Sequence, residues 1–262
     1  MNDVVVVKCG GSTLQELSDE FFVSMKLLKE KNMTPIIVHG GGPAINALLT
    51  KLAVKSEFVN GLRKTTPDVL EAAEMVLSGK VNKLLVTKLQ LAGVMSIGIC
   101  GCDGGLIKAK PIDIDSLGYV GEVERVNANF LQQLIKMNVV PVIAPIGLGE
   151  DGVHYNINAD TAAGAIAESI QASKMIFATD VAGILKNDQL QKLVCINEIE
   201  EMIEDGTIYG GMLPKVKAAM KCLDGNISEV FIINGKSGKL AENGELIGTK
   251  IVKTKQLVGE VS

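Results

Sequence analysis

Short aliphatic runs alternate along the chain with longer stretches in which apolar residues recur every three or four positions. The runs are Val4 to Val7, Pro35 to Val38, Met95 to Cys100, Val139 to Ala144, Met175 to Thr179, Val230 to Ile233 and Lys250 to Val252. Each has the length of a buried strand. Between them, Ser18 is placed to cap a helix reaching Lys31, with Phe21, Phe22, Met25, Leu27 and Leu28 on or near one face. Pro43 opens a helix carrying Ile45, Leu48, Leu49 and Leu52. Two helical stretches follow, Pro67 to Leu77 and Val81 to Leu91, with others near 128–137, from Asp160 to Ala172, at 197–205 and up to Leu223. Strict alternation at 54–65 around Asn60-Gly61 predicts a hairpin. Residues 106–125 read as short antiparallel strands, and Gly149 to Tyr155 as a second hairpin. The recurring strand, turn, helix plan predicts an α/β protein whose sheet is covered on both faces by helices.

Composition narrows the class. Nearly all the apolar residues are aliphatic, with 6 Phe, 3 Tyr and no Trp, as a largely parallel sheet requires. No proline-rich or low-complexity linker interrupts the 262 residues, so two halves, about 1–150 and about 151–262, are expected to share one sheet as a single domain. A net charge of −4 and the lack of a basic face argue against nucleic acid as a partner. No apolar stretch reaches the ~20 residues of a membrane span, and the first residues lack a cationic leader, so the expectation is a cytoplasmic protein. Five cysteines at 9, 100, 102, 195 and 222 form neither a CxxC pair nor a zinc-ligand spacing, and are expected to be reduced thiols. Cys9 reads as a small packed residue, although its neighbour Lys8 leaves open an accessible thiol.

The candidate chemistry sits where strands end in glycine. Lys8 closes an apolar strand and is followed by Cys9-Gly10-Gly11-Ser12, where backbone N–H groups can approach phosphate oxygens beside a point charge. A lysine at a strand end also serves as a solvated surface group. His39-Gly40-Gly41-Gly42-Pro43 is a stronger signal, because a glycine loop feeding a helix N-terminus is an anion site and a plain turn seldom needs three glycines. His39 reads as a structural hydrogen-bonding residue. Lys215 follows the Gly210-Gly211 pair at another helix entry. In an open α/β sheet ligands gather outside the carboxyl ends of the strands, where these loops lie.

Three other motifs fail their context. Gly147 to Gly152 matches GxGxxG but leads into a polar hairpin; Gly235-Lys236-Ser237 lacks the first glycine of a Walker loop; and the acceptor patterns at Asn32 and Asn226 lack a secretory leader. No catalytic base is required if the phosphoryl acceptor is a carboxylate, already ionised at neutral pH. Alignment and charge neutralisation by two lysines and backbone N–H groups then suffice.

The segments Lys8-Cys9-Gly10-Gly11, His39 to Pro43, Gly61-Leu62-Arg63-Lys64-Thr65, Asn156 to Asp160, Thr179 to Gly183 and Gly210 to Lys215, in this order, resemble the amino-acid kinase family, most closely its branch acting on N-acetyl-L-glutamate. That resemblance implies an open three-layer αβα sandwich with a largely parallel central sheet, the N-terminal half holding the acyl substrate and the C-terminal half ATP. Lys8 and Lys215 would act on the transferring phosphoryl group, with Asp160 orienting both. Gly41, Gly42, Arg63, Asn156 and Asn158 would surround the substrate. Gly10, Gly11, Thr179, Asp180, Val181, Ala182, Gly183, Ile184, Thr207, Ile208 and Tyr209 would serve ATP. With no acidic cluster at metal-ligand spacing, Mg²⁺ would be held mainly by the ATP phosphates. Other family branches and a non-catalytic sensor are the rival readings; a sensor would be expected to lose Lys8, Lys215 or Asp160. The residues before Val4 are too few for the helix that interlaces arginine-inhibited relatives into hexamers, so the resemblance implies a homodimer little affected by arginine.

Overall fold

The aliphatic runs assemble into one eight-stranded sheet, in the order Leu193–Cys195, Thr249–Val252, Glu229–Asn234, Lys174–Thr179, Asp3–Cys9, Met33–His39, Val140–Ala144, Ser96–Cys100. The structure is a computed structural model describing residues 3–11, 13–14, 16–225, 227–236, 241–242 and 245–254. Ser12, Asn226 and Ser237, named above in motifs, lie outside the described residues. Six neighbouring strands run parallel; Thr249–Val252 pairs antiparallel to Glu229–Asn234 and parallel to Leu193–Cys195.

The side-chain period of two divides the core into two layers. Val5, Val7, Cys9, Ile37, Val142, Ile176 and Ile233 pack beneath Phe21, Phe22, Met25, Leu49, Ala72, Leu85 and Leu89 of the helices on one face. Val6, Ile36, Val38, Ile143, Met175 and Ile232 meet Leu131, Ala163, Ile166, Val216 and Ala219 on the other. Burying one such aliphatic side chain contributes about 1.5–3 kcal/mol. A one-residue slip would exchange the layers of a whole strand, so the pattern fixes register.

Local signals explain the element ends. Ser18 Oγ accepts from Phe21 N at 3.2 Å and starts the Asp19–Glu30 helix, and Pro43 sits in the first turn of Gly42–Lys51. Asn60 (φ 50°) and Gly61 (φ 81°) take the two positive φ angles of a tight hairpin turn joining Phe58–Val59 to Leu62–Arg63. Leu27 and Leu52, expected on buried faces, are exposed. A larger difference concerns 67–91. Instead of two helices the chain runs through α-helix Pro67–Glu74, a wide π-helical stretch Met75–Val81 and α-helix Asn82–Leu91 without a break at Gly79.

Beyond the carboxyl end of Val140–Ala144, the strands Ile107–Pro111, Val120–Val126, Ile146–Leu148 and His154–Ile157 close into a small barrel. Its antiparallel pairs are the short strands expected at 106–125 and the hairpin expected at 149–155, and the GxGxxG segment lies in that hairpin. The barrel passes the chain to the Ala159–Ser169 helix, which brings Asp160 back over the sheet.

Candidate active site

The central strand Asp3–Cys9 has Met33–His39 on one side and Lys174–Thr179 on the other, and the strand order reverses here. A crevice therefore opens at the carboxyl ends of these strands, where doubly wound sheets bind ligands. Lys8, Gly10, Gly11, Asp160, Thr179, Gly211 and Lys215 line one cavity of about 230 Å³ in it. Residues separated by more than 200 positions in sequence thus face one another.

Lys8 Nζ lies 2.9 Å from Asp160 Oδ1. Asp160 stands in the first turn of its helix, which Asn158 caps by accepting from Asp160 N at 2.9 Å and Thr161 N at 3.2 Å. Lys215, in the first turn of the Met212–Asp224 helix, donates to Gly211 O at 3.1 Å and lies 3.6 Å from Asp180 Oδ1. Asp180 is held below the ordinary carboxyl range, first by the Thr179 hydroxyl at 2.9 Å and then by the nearby Lys215 and Lys236 ammonium groups. Asp160 therefore holds Lys8, whereas Lys215 is held by Asp180, because the two lysines arrive from different halves and Lys215 folds back along its own helix entry.

The two glycine loops touch. A Cβ on Gly11 would lie 2.9 Å from the backbone nitrogens of both Gly41 and Gly42, and one on Gly40 would lie 3.2 Å from Gly11 N. Only glycine permits this approach, since the clashing atoms are backbone. On the far side of that glycine wall lies a second cavity of about 170 Å³, lined by Gly41, Gly42, Phe58, Arg63, Asn156 and Asn158 among others.

Arg63 is fixed before any ligand arrives. Its Nη1 donates to Asn46 Oδ1 at 2.7 Å and to Ser56 Oγ, its Nη2 to Gly42 O at 3.3 Å, and its guanidinium stacks 4.7 Å from the Phe58 ring. Burial lowers its pKa, yet a guanidinium stays charged at any ordinary pH. Asn156 Nδ2 donates to Thr65 Oγ1 at 3.2 Å, and that hydroxyl donates to Arg63 O at 2.8 Å. One hairpin and one barrel strand are thereby tied around the same cavity.

The amino acid kinase family model matches residues 3–234. The chain belongs to the amino acid kinase family. It is 55% identical over 253 residues to an acetylglutamate kinase of Halalkalibacterium halodurans, covering 97% of each chain. An acetylglutamate kinase of Geobacillus kaustophilus is 52% identical, with 97% of this chain and 98% of the relative covered. The smu.665 protein of Streptococcus mutans superposes with a TM-score of 0.83 at 32% identity, covering 97% of this chain and all of that one. At 17% identity and a TM-score of 0.71, a carbamate kinase of Giardia shares the fold over 97% of this chain.

In this family member the loop after Thr179 is anchored at its end. Gly183 (φ 146°) passes close to Thr249, and Ile184 N donates to Thr249 Oγ1 at 2.8 Å. Ile184 and Ile208 are buried in one apolar layer, whereas Ala182 and Tyr209 are exposed. Thr207 N donates to Asp205 Oδ1 at 2.8 Å. Asn46, Ser56 and Phe58, which hold Arg63, carry no motif that sequence reading could have found. His39 is fully buried, pushed down to about 4 by burial, and braced between Gly40 O and Asn82. That arrangement suits the structural role its sequence suggested. Cys9 is buried and its thiol pushed up to about 12, which leaves it protonated and inert at neutral pH.

Proposed function

We propose that this enzyme transfers the γ-phosphoryl group of ATP to the γ-carboxylate of N-acetyl-L-glutamate, forming N-acetyl-L-glutamyl 5-phosphate in arginine biosynthesis. The observation that carries the reading is the juxtaposition of the arginine-floored cavity and the two-lysine cavity across a wall of bare glycine backbone. An acid bound on the first side presents its distal carboxylate to a phosphate on the second. The acetylglutamate kinase relatives, at 45–55% identity over nearly the whole chain, agree with it.

Arg63 would grip the α-carboxylate with its planar fork, and Asn156, with Asn158 beside it, would face the acetamide. The γ-carboxylate then attacks the γ-phosphorus, the P–O bond to ADP breaks, and no proton has to move. Lys8 and Lys215 neutralise the phosphoryl oxygens as charge spreads over them, Asp160 orienting Lys8 and Asp180 restraining Lys215 until ATP arrives. Gly10, Gly11, Gly41 and Gly42 let backbone donors approach without side-chain obstruction.

Asp160, which lines the cavity, and Asp180 beside Lys215 are each engaged by a lysine. Mg²⁺ carried on the ATP phosphates and water would supply further charge neutralisation when bound. Thr179 to Ile184 and Thr207 to Tyr209 would line the nucleotide site.

ADP release coupled to a dehydrogenase readout, with hydroxylamine trapping of the acyl phosphate, tests the reading directly. N-acetylglutamate should be preferred over free glutamate and aspartate by a large factor in kcat/KM; equal or better turnover of either free amino acid would overturn the assignment. A homodimer is the assembly this reading carries, and light scattering measures it.

A further inference from the structure

We propose that Cys100, Cys102 and Asp103 form a chelating site for one thiophilic divalent cation of the Zn²⁺ class, separate from the catalytic crevice. The two sulfurs lie 2.8 Å apart, and their Sγ atoms together with an Asp103 carboxylate oxygen all fall within 4.8 Å of one another. This is the one cluster of three metal-ligating side chains among the described residues.

The local fold explains the convergence. Cys100 ends the edge strand Ser96–Cys100, Gly101 N donates to Ala144 O at 3.1 Å, and Ile107 N donates to Gly101 O at 2.6 Å. Strand, neighbour and barrel thereby pin the turn on both sides. Asp103 folds back so that Oδ2 accepts from Cys100 N at 2.7 Å, leaving its other oxygen available as a ligand. A half-exposed Cys102 admits the ion from solvent, while Cys100 is nearly buried beneath it.

Two thiolates and one carboxylate suit a soft, tetrahedral ion with water as its fourth ligand, and disfavour Mg²⁺ and Ca²⁺. Two sulfurs on one tetrahedral zinc stand about 3.8 Å apart, so the pair must open by about 1 Å. Cys102 can make that movement because it stands in the solvent-facing turn. The ion binds the deprotonated sulfurs, so its binding releases protons.

Cobalt reports the site spectroscopically. Reduced protein, kept so with a phosphine, is titrated with Co²⁺ alone and then with Zn²⁺. One Co²⁺ per chain should give an intense near-ultraviolet thiolate-to-cobalt band that stoichiometric Zn²⁺ removes. Cys102→Ser should weaken binding at least about tenfold, since losing even an outer-shell partner costs 10–100-fold. Asp103→Asn, which keeps the side chain's shape, should weaken it less. Cys222→Ser should change nothing, because Cys222 stands on a different helix. An absent charge-transfer band, a Cys100–Cys102 disulfide persisting under the reductant, or equal binding by Cys102→Ser would each overturn the proposal.

Discussion

The two halves of the crevice are held in different ways. On the side proposed to take the acyl substrate the cation is caged, with Arg63 buried to 9% exposure, bonded to three side-chain or backbone oxygens and covered by Phe58. On the side proposed to take the nucleotide, Lys215 is restrained by a 3.6 Å contact to a half-exposed aspartate and by its own helix entry, and Tyr209 is 76% exposed. A small acid would gain from a preformed clamp, because the cost of ordering the clamp is met during folding. A lysine acting on charge as it develops, the role proposed for Lys215, would gain from a weaker partner that the incoming phosphates can displace.

The largest effect should come from removing the lysines. Lys8→Ala and Lys215→Ala are each expected to lower kcat by about 100-fold or more with little change in KM. Steady-state kinetics check this; a raised KM with near-normal kcat would make that lysine a binding group and erase the contrast with Arg63. Next, Arg63→Lys should raise the KM for N-acetylglutamate by about 100-fold while leaving that for ATP unchanged, since a point charge cannot replace the bonded fork. Equal effects on both substrates would show that the halves are coupled more tightly than the geometry indicates.

A third test concerns the brace under the acyl side. Burial lowers His39 from 6.5 to about 4, so the unfolded chain binds a proton that the folded one refuses. Stability from this group is complete above about pH 6.5 and falls as pH drops toward 4, by at most about 1.4 kcal/mol per pH unit. Denaturant unfolding of His39→Gln between pH 7 and 5 should show a shallower decline than the parent, and an identical slope would place the acid sensitivity elsewhere. The smallest effect belongs to the exposed nucleotide side: Tyr209→Ala should change the KM for ATP by only about two- to threefold, as a loss of about 0.5 kcal/mol implies.

Much of this contrast was legible in the sequence, though unevenly. The buried strands, Ser18 as a cap, the turn at Asn60-Gly61 and the two glycine loops follow from rules acting over a few residues. Arg63 was visible as a candidate, but its cage was not, because Asn46 and Ser56 lie 17 and 7 positions away and reach it only through the hairpin's placement. The partner of Lys215 was missed for the same reason. Ser78-Gly79-Lys80 reads as an interruption by local propensity, yet tertiary contacts carry the helix through it.

That uninterrupted wide stretch at Met75–Val81 sets the phase between contacts on its two flanks. A π-helical turn holds about one residue more than an α-helical one. Immediately before it, Glu74 pairs with His154 at 2.7 Å; within it, Leu77 fills the space over Gly41; immediately after it, Asn82 Nδ2 meets His39 Nε2 at 3.2 Å and Val142 O at 2.8 Å. If all seven residues from Met75 to Val81 tightened to α geometry, each would turn by about 100° and everything downstream would rotate by roughly that much. Asn82 would swing away from the histidine while Glu74 stayed with the barrel. The wide turn is what keeps Glu74 and Asn82 in step with partners on two different parts of the fold.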